Sequence, residues 1–392
     1  MSPQAKTPRR RLLMIEQGGR GGVADYTAEL THALAQAGWR VALATAADHR
    51  FQPTAGVRIH KVFHYVRGDS RLARATRRAR LGPLVNAVRF LVAVPRLMAL
   101  ARRADIVHAQ GWEFAPLGVV AIAGLRLAGA RVVQTSHNTF ERGRALDRTH
   151  RLLARLTSYT IVHTQADVPR VPREARGRIA VIPHGEYGFL ARSGGPVERE
   201  AARAALGIGA QAFVALLFGQ LRPDKGLGDL LAALAAVPDA QLLIGGQEAG
   251  ALAAERARLE SPELADRTTI REGFLAMDEA ARLFAAADVV VLPYRLASQS
   301  GVLLLAYGFH RPVIVYPVGG LIEAVRDGDT GWICARADVE ALAQALGQAL
   351  AAGAQECRRR GEVGARLAAE RFAWPVIARR TGEVYREVLG DG

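Results

Sequence analysis

The sequence contains little cysteine and no long hydrophobic run. Its 392 residues include two cysteines, Cys334 and Cys357, and these form no CxxC pattern. A disulfide framework and a cysteine zinc site are therefore not expected, and the two thiols fit a reducing cytoplasm. The apolar run after the basic N-terminus is too short for a signal-peptide core, and no run of about 18 apolar residues occurs. We expect a cytoplasmic chain without a spanning helix.

Aromatic residues are also few, at 6%, and acidic residues are outnumbered. The chain carries 52 Lys and Arg against 37 Asp and Glu, a net charge of +15, which favours anionic partners. Nucleic acid is not expected, because no aromatic residues alternate with the arginines to stack on bases. The arginines cluster between Arg67 and Arg103, with apolar residues between Leu81 and Leu100. This region is either a solvated helical surface or an amphipathic surface touching anionic lipid at the inner membrane face.

Half of the residues are hydrophobic, and strand-like runs alternate with helical patterns along the chain. The predicted strands are residues 12–16, 40–45, 105–109, 131–135, 159–163 and 179–183, then 213–218, 241–244, 268–271, 289–292, 313–316 and 331–333. Such alternation predicts α/β architecture with parallel sheets. We predict two Rossmann-like doubly wound domains facing a cleft, residues 1–190 and 197–372, followed by a C-terminal segment, 373–392.

A glycine-rich turn, Gln17-Gly-Gly-Arg-Gly21-Gly22-Val-Ala-Asp-Tyr26, follows the first predicted strand. A dinucleotide site also needs an acid at the end of the second strand to hold the ribose. That strand ends in Thr45 and Ala46, and Asp48 lies too far along. Binding of a nicotinamide cofactor is therefore disfavoured. The turn either faces a phosphate or sugar, which its glycines and helix N-terminus would allow, or is only a tight connection.

A second basic turn, Phe218-Gly219-Gln-Leu-Arg222-Pro-Asp-Lys225-Gly, follows a strand and opens a helix. Two cations at a helix N-terminus form a strong cradle for a diphosphate. The alternative is a solvated turn that bears two charges. The chain has no Gly-x-Ser-x-Gly elbow, no Walker loop and no HExxH motif, so the common hydrolase, P-loop and metalloprotease classes are not indicated.

Taken together, these segments resemble the GT-B glycosyltransferases of family 4, also called group 1. The resemblance covers nearly the whole chain. It rests on the glycine turn, the Arg222/Lys225 turn and six further segments: Val133-Gln-Thr-Ser-His137-Asn138, Val181-Ile-Pro-His184-Gly185, Ala286-Ala-Asp288-Val-Val-Val-Leu-Pro293-Tyr294, Ser298-Gln299-Ser300-Gly301-Val302, Arg311-Pro312-Val-Ile and Val318-Gly-Gly-Leu-Ile-Glu323.

The resemblance implies an enzyme that moves a sugar from a nucleoside-diphosphate sugar to a glycan, lipid-linked or small-molecule hydroxyl, with retention of configuration and without a bound metal or other cofactor. It places the nucleotide in the second domain and the acceptor in the first, and it implies that the last helix crosses back to the first domain. Arg222 and Lys225 would stabilise the departing diphosphate, and His137 would hydrogen-bond the donor sugar. The other implied donor contacts are Gly21, Gly22, Gly219, Ser298, Gln299, Ser300, Gly301 and Val302. Asn138, His184, Gly185 and Glu323 are further cleft candidates.

The resemblance is incomplete at one pair of positions. Two glutamates that many members carry eight positions apart correspond here to Ala297 and Leu305, and Leu305 cannot hold a ribose. Glu323 either caps the next helix or contacts the ligand. Two other functions therefore stay open. One is a sugar-nucleotide 2-epimerase, which would need a pair of acid/base carboxylates, and the other is a non-catalytic partner that binds a nucleotide sugar.

Overall fold

The computed structural model describes residues 10–68, 71–112, 114–137, 144–188 and 197–391. The chain divides into two compact units, which are treated separately. Unit 1 comprises Met1–Gly185 and Trp374–Gly392, and unit 2 comprises Glu186–Ala373. The division therefore falls at Gly185, a few residues before the sequence-based boundary at 190–197.

Unit 1 is built on a seven-stranded parallel sheet with the strand order β3-β2-β1-β4-β5-β6-β7. Its strands are β1 Arg11–Ile15, β2 Arg40–Ala46, β3 Val57–Phe63, β4 Ile106–Ala109, β5 Val132–Thr135, β6 Tyr159–Val162 and β7 Ile179–Val181. Its helices are α1 Gly22–Gln36, α2 Arg71–Arg78, α3 Gly82–Ala101, α4 Ala115–Leu127, α5 Arg144–Leu156 and the C-terminal Trp374–Leu389, with two 3-10 helices at Gln165–Arg170 and Arg173–Arg178.

Unit 2 is built on a six-stranded parallel sheet with the order β10-β9-β8-β11-β12-β13. Its strands are β8 Phe213–Phe218, β9 Ala240–Gly246, β10 Thr268–Glu272, β11 Val289–Leu292, β12 Val313–Val315 and β13 Gly331–Ile333. Its helices are α6 Arg199–Leu206, α7 Leu227–Ala235, α8 Ala251–Leu259, α9 Pro262–Ala265, α10 Met277–Ala286, α11 Gly301–Gly308, α12 Leu321–Ala324 and α13 Val339–Arg371, with a 3-10 helix at Pro223–Lys225. The helix Trp374–Leu389 is α14. Two parallel α/β sheets confirm the predicted fold class.

Each central strand is apolar on both faces because helices cover both sides of the sheet. In β1, Leu13 and Ile15 join one core layer, whereas Leu12 and Met14 join the layer on the opposite face. The same alternation divides β8 between two layers. Side chains in a strand point alternately to the two faces, so a continuous apolar run is what a doubly covered sheet requires.

The C-terminal helix α14 packs in unit 1 beside α1. Its Trp374, Ile377 and Tyr385 are buried in the core layer that also contains Tyr26 and Leu30 of α1. The hydroxyl group of Tyr385 lies 2.6 Å from Nδ1 of His108 on β4. The last helix is thus fixed to the first unit by both apolar packing and a buried hydrogen bond.

Sequence analysis missed strand β3 and helix α4. β3 is an edge strand with exposed or half-buried residues along most of its length, so it lacks the apolar run that identifies a central strand. α3 is 20 residues long, and by length and composition it could cross a membrane, which the sequence analysis did not expect. One face of α3 nevertheless belongs to the core of unit 1.

Candidate functional site

In unit 2, the loop after β8 is closely packed at Gly219. Gly219 has φ +115°, and a Cβ there would lie 3.3 Å from Cγ2 of Val302. The backbone N–H of Gly219 donates to the carbonyl oxygen of Gly245. A side chain at position 219 would be strained and crowded. The structure thus brings together two residues predicted to contact a donor, Gly219 and Val302.

The turn at residues 222–226 docks on the segment that follows β11. Gly226 adopts the left-handed conformation with φ +76°, and a Cβ there would overlap the carbonyl oxygen of Pro293. The N–H of Arg295 donates to the carbonyl oxygen of Asp224 over 3.1 Å. Because β8 and β11 are neighbours in the sheet, their carboxyl ends place these two segments side by side, as is typical of ligand sites in parallel sheets.

Lys225 lies over an aromatic ring in this turn. Its Nζ is 3.6 Å from the ring centroid of Tyr294, a cation–π contact. Burial, together with repulsion from Arg222, lowers the pKa of Lys225 to about 8, although Asp224 acts in the opposite direction. Burial also raises the pKa of Tyr294 to about 12, which keeps its hydroxyl neutral. An anionic ligand would stabilise the charged form of Lys225.

Arg222 is already held by a carboxylate, which the sequence analysis did not consider. Its Nε and Nη2 donate to the two carboxylate oxygens of Asp224, each over 2.8 Å, and this pairing lowers the pKa of Asp224. The turn therefore carries one net positive charge, from Lys225, rather than two. A diphosphate at this place would share Arg222 with Asp224 or displace the carboxylate.

The predicted segment Ser298–Val302 forms the start of α11. Ser300 is the N-cap residue, and its hydroxyl oxygen accepts the N–H of Leu303 over 3.2 Å. A Cβ at Gly301 would lie 2.7 Å from the ring of Tyr187. Gln299 Oε1 is buried and accepts no hydrogen bond within the part of the chain that the structure describes. A ligand hydroxyl or N–H would satisfy that oxygen.

The two positions that lack glutamate are part of the core. Ala297 and Leu305 are buried in the same apolar layer of unit 2. Both positions thus contribute to packing and offer no polar group to a ligand. Glu323 lies half-buried in the first turn of α12, where its charge favours the helix N-terminus.

In unit 1, a cavity of about 340 Å³ opens at the carboxyl ends of β1, β4 and β5. It is lined by Glu16, Gln17, Gly18, Arg20, Gly22, Val23, Gln110, Gly111, Trp112, Ala115, Gln134, Ser136, His137, His150 and Leu153. Trp112 Nε1 and Gln134 Oε1 are buried and lack hydrogen-bond partners among the described residues. One donor and one acceptor are thus left for a polar ligand. Gly22 and His137, both predicted site residues, lie here.

Glu16 holds the glycine turn and was missed by sequence reasoning. Its carboxylate is buried and accepts the N–H groups of Gly18 and Gly19, over 2.8 and 2.7 Å, and the hydroxyl of Thr45 over 3.0 Å. These two N–H groups are therefore taken by the protein itself. What remains for a ligand is the start of α1 at Gly21 and Gly22, where a Cβ would meet no atom within 4 Å. An acid just before a glycine turn was the available signal.

His137 belongs to a buried histidine chain. Nδ1 of His163 lies 3.0 Å from the carbonyl oxygen of Ile182, which can only accept, so this nitrogen carries the proton. Nε2 of His163 lies 3.0 Å from Nδ1 of His137, and Nε2 of His137 lies 2.9 Å from Oε1 of Gln110. A neutral His137 carries one N–H, so it donates either to His163 or to Gln110. Burial, followed by the neighbouring histidines, lowers the pKa of His137 well below its usual value. His137 is thus oriented and kept neutral at the cavity wall.

His184 and Gly185 lie away from the lining of this cavity. Nδ1 of His184 donates to the carbonyl oxygen of Gly185, and its ring packs 4.7 Å from that of Tyr26. A Cβ at Gly185 would overlap the ring of Trp374. These two residues therefore belong to the packing of unit 1 around Trp374, the first residue of α14. Asn138, another predicted residue, lies outside the described residues.

No group of three His, Cys, Asp or Glu side chains is arranged to hold a metal ion within the described ranges. The histidine chain of unit 1 is engaged in its own hydrogen bonds. The polar groups of both units are instead suited to phosphate and hydroxyl ligands: a lysine, an arginine, helix N-termini and side-chain amides.

Two family profiles match this chain, one in each unit. Residues 20–185 match Glycosyltransferase Family 4, and residues 212–352 match Glycosyl transferases group 1. The first match begins within the glycine turn, at Arg20, and includes His137, and the second includes the Arg222/Lys225 turn and the start of α11. Both predicted site regions therefore lie within matched segments.

Curated relatives match over part of their length. The chain is 32% identical over 214 residues to the D-inositol 3-phosphate glycosyltransferase of Streptomyces griseus, covering 50% of this chain and 43% of that protein. It is 33% identical over 210 residues to the Mycobacterium marinum protein with the same description, with the same two coverages. The matched segment thus spans less than half the length of these relatives.

Solved structures share the whole fold. Sucrose-phosphate synthase from Thermosynechococcus elongatus superposes with a TM-score of 0.76 at 23% identity, over 98% of this chain and 100% of that one. Anabaena HepE in complex with UDP gives a TM-score of 0.74 at 19% identity, over 96% and 100%. Further HepE structures contain UDP with glucose, and UDP-glucose. At these identities the likeness establishes the two-domain fold.

Proposed function

Because the chain belongs to the family 4 (group 1) glycosyltransferases, we propose that it transfers a sugar from a nucleoside-diphosphate sugar to a hydroxyl group of an acceptor. The observation that carries the proposal is the packed turn in unit 2 that presents Arg222 and Lys225 beside the start of α11. A Cβ at Gly226 would overlap the carbonyl oxygen of Pro293, and one at Gly219 would crowd Val302, so the turn is closely packed at both glycines.

The two cations would act on the leaving group. When the bond between sugar and diphosphate breaks, negative charge grows on the departing phosphate oxygen. Lys225 and Arg222, already fixed in place, stabilise that charge more than they stabilise the bound donor, which is the condition for catalysis. Asp224 keeps Arg222 oriented in the absence of donor. When a diphosphate binds, its oxygens accept hydrogen bonds from Arg222 and replace those that Asp224 accepts in the free protein.

The nucleotide proposed first is UDP. Support comes from the HepE structures that contain UDP and UDP-glucose. The buried Leu305 replaces a glutamate that commonly contacts the ribose in this family, so the ribose contact would fall on another group. We assign this contact to Gln299, whose buried side-chain oxygen near the start of α11 has no hydrogen-bond partner among the described residues.

The acceptor proposed for unit 1 is rich in hydroxyl groups. The cavity at β1, β4 and β5 offers an aromatic wall from Trp112 and the unpartnered atoms of Trp112 and Gln134, and it is also lined by Arg20, which pairs with Asp48. Flat apolar rings with peripheral donors and acceptors suit sugar-like molecules. His137 would orient a hydroxyl group of the reacting sugar. The relatives named for D-inositol 3-phosphate act on a compound of this kind by name.

We extend the proposal to retention of configuration, to activity without a metal, and to work in the cytoplasm at the inner membrane face on a glycan or lipid-linked acceptor. Epimerisation is less well supported, because Glu16 is the only carboxylate among the described residues that line the cavity, and its oxygens bind backbone N–H groups. A non-catalytic partner remains the second candidate, on the strength of the buried Ala297 and Leu305.

The test is donor turnover followed by mass spectrometry. UDP-, GDP- and ADP-sugars are incubated with inositol phosphates, hexoses and lipid-linked sugars, using wild type, Arg222→Ala, Lys225→Ala and the control Arg282→Ala. A lost charge-assisted bond of about 1.5–3 kcal/mol predicts a roughly ten- to 150-fold fall in kcat/KM for each site variant. Product formation that both site variants leave unchanged contradicts the assignment. Donor binding without turnover supports the non-catalytic alternative, and an epimerised donor supports the epimerase.

A further inference from the structure

Helix α3 has an apolar face toward solvent. Leu84 is 62% exposed, Val88 53%, Leu91 41% and Val92 73%. These positions recur at the spacing of one helix face. The same helix buries Phe90, Ala93, Val94 and Leu97 in the core of unit 1. α3 is therefore apolar on both sides, and only one side is explained by the fold.

The face is long and continuous. Exposed residues continue to Pro95 and Ala99, so the stripe from Leu84 to Ala99 runs for roughly 22 Å at the helical rise. The neighbouring helix α4 packs on α3 at Gly124 and adds exposed Val120 and Leu127. An exposed apolar stripe of this length, unlike scattered single residues, indicates a surface that contacts a membrane or another protein.

Arginines lie at both ends of the stripe. Residues 70–104 contain nine arginines and no acidic residue. Arg78 and Arg80 are exposed before α3 begins, and Arg96, Arg102 and Arg103 are exposed near its end. A helix with an apolar face and basic surroundings is suited to the boundary between lipid headgroups and acyl chains.

A basic cavity lies at the C-terminal end of α3. It has a volume of about 570 Å³, and Leu100, Arg103 and Ala104 form one wall. Arg11, Arg40 and Arg58 line the opposite side, from β1, β2 and β3. Arg11 pairs with Asp105 over 3.2 Å. Within the described ranges Arg40, Arg58 and Arg103 form no ion pair, so the cavity presents three uncompensated cations.

The remaining titratable group in this cavity is His60. Burial, Arg58 and Arg96 all lower the pKa of His60, so it is neutral at physiological pH and adds no charge. The cavity is therefore suited to an anion of more than one negative charge or to several singly charged phosphodiesters near one another.

We propose that the exposed face of α3, with the arginine-lined cavity at its end, is a docking surface for an anionic phospholipid bilayer. α3 lies parallel to the membrane surface, at the level of the lipid headgroups. One face of the helix is part of the core of unit 1, and a membrane-spanning orientation would remove that face from the core. The apolar stripe contacts acyl chains, and the cavity takes a headgroup phosphate. This surface is distinct from the site residues of unit 1, which lie at the carboxyl ends of the strands.

A second copy of the chain is a poorer occupant of this face. A two-fold contact places the same patch on both partners. It would bring together two arginine-rich surfaces without an acidic residue from either 70–104 segment, which repels. Anionic lipid neutralises the same charges and covers the apolar stripe.

The test is sedimentation with vesicles, which needs no donor sugar and so can fail independently of the proposed transfer. Wild type is mixed with phosphatidylcholine vesicles with or without phosphatidylglycerol, at low salt and at about 0.15 M salt. The variants are V88E/V92E and R40A/R58A, all at exposed positions. The matched controls are F274E and R256A, which change an exposed apolar residue and an exposed arginine of unit 2.

We expect wild type to bind the phosphatidylglycerol vesicles, less strongly at higher salt. V88E/V92E should weaken binding at least about tenfold, and R40A/R58A should abolish the preference for anionic over neutral vesicles. F274E and R256A should bind as wild type does, and all variants should keep the wild-type melting temperature. Absence of binding at low salt overturns the proposal, as does wild-type binding by V88E/V92E. So does a wild-type dimer, seen by light scattering, that V88E/V92E dissociates.

Discussion

The ammonium group of Lys225 lies 3.6 Å from the ring centroid of Tyr294. Lys225 follows β8 and Tyr294 follows β11, so the contact joins the carboxyl ends of two adjacent strands. Burial lowers the pKa of Lys225, and Arg222 adds repulsion. A lysine in this position is close to losing its proton near neutral pH, which makes its charge sensitive to what binds beside it.

This position predicts that the affinity for a nucleoside diphosphate depends on pH. The pKa of Lys225 is about 8 in the free protein, so raising the pH through 8 removes its charge, and a diphosphate binds the charged form better. We expect the affinity for UDP to fall about tenfold between pH 7 and pH 10, the loss of roughly one charge-assisted bond. Calorimetric titration at several pH values measures it. In Lys225→Arg the charge persists and the affinity should not vary. A flat wild-type profile contradicts the assigned role of Lys225.

Gly226 predicts a large effect of a single methyl group on stability. In Gly226→Ala the new Cβ would overlap the carbonyl oxygen of Pro293 at a positive φ. We expect unfolding free energy to fall by about 2 kcal/mol or more, measured by urea denaturation. Gly328→Ala separates strain from overlap, because Gly328 has φ +79° but open space around it, and it should cost about 1 kcal/mol. Equal losses in the two variants would mean that the contact with Pro293 is unimportant.

Glu16 predicts that the glycine turn depends on a carboxylate. Glu16→Gln replaces an oxygen with an NH₂ group, which cannot accept from both Gly18 and Gly19. Leaving one buried N–H unsatisfied should lower the unfolding free energy by about 1–3 kcal/mol. The control Glu383→Gln, on the exposed side of α14, should change it by less than about 0.5 kcal/mol. Chemical denaturation of the two variants side by side decides the point, and an unaffected Glu16→Gln would refute the anchoring role.

The buried histidines of unit 1 predict a loss of stability in mild acid. Burial lowers the pKa of His108 and of His184 to about 3, and it lowers the pKa values of His137 and His163 as well. The unfolded chain takes up these protons near pH 6.5 while the folded chain does not. Stability is therefore complete above about pH 6.5 and falls as the pH drops toward 3, by about 1.4 kcal/mol per pH unit for His108 and the same for His184.

Urea denaturation between pH 7.5 and pH 5 measures this slope in a range above the titration of most carboxylates. His108→Gln removes one of these buried histidines, so the pH dependence of the unfolding free energy should decrease by roughly 1.4 kcal/mol per pH unit. The exposed His32→Gln is the control and should leave the slope unchanged. A stability that does not vary from pH 7.5 to pH 5 is incompatible with histidines that stay neutral in the fold.

The sheets could be predicted because their central strands are continuous apolar runs. β1 and β8 are buried on both faces. Their sequences are therefore almost entirely apolar, which identifies them as buried strands. The edge strand β3 was missed because only its last two residues are fully buried. Its polar residues interrupt the apolar pattern, and pairing with β2 rather than local propensity determines its conformation.

The candidate site could be predicted where it depends on residue type and not where it depends on side-chain partners. Arg222 and Lys225 follow from a basic turn between a strand and a helix. The pairing of Arg222 with Asp224 did not follow, because charges two positions apart reveal no geometry. Glu16 was missed for a related reason: an acid just before a glycine turn is a weak signal, because the sequence does not show that the turn folds back onto the carboxylate.

The central claim is that unit 2 binds a nucleoside diphosphate through Arg222 and Lys225, and melting temperature tests it most directly. UDP, GDP and ADP, their sugars, and NAD(H) and NADP(H) are screened against wild type, Arg222→Ala and Arg282→Ala. A ligand that binds the native state stabilises it by about 2.7 kcal/mol at a hundred times its Kd. We predict a rise in melting temperature with a nucleoside diphosphate that Arg222→Ala loses and Arg282→Ala retains. A rise with the nicotinamide cofactors alone would contradict the claim and assign the ligand to the glycine turn of unit 1.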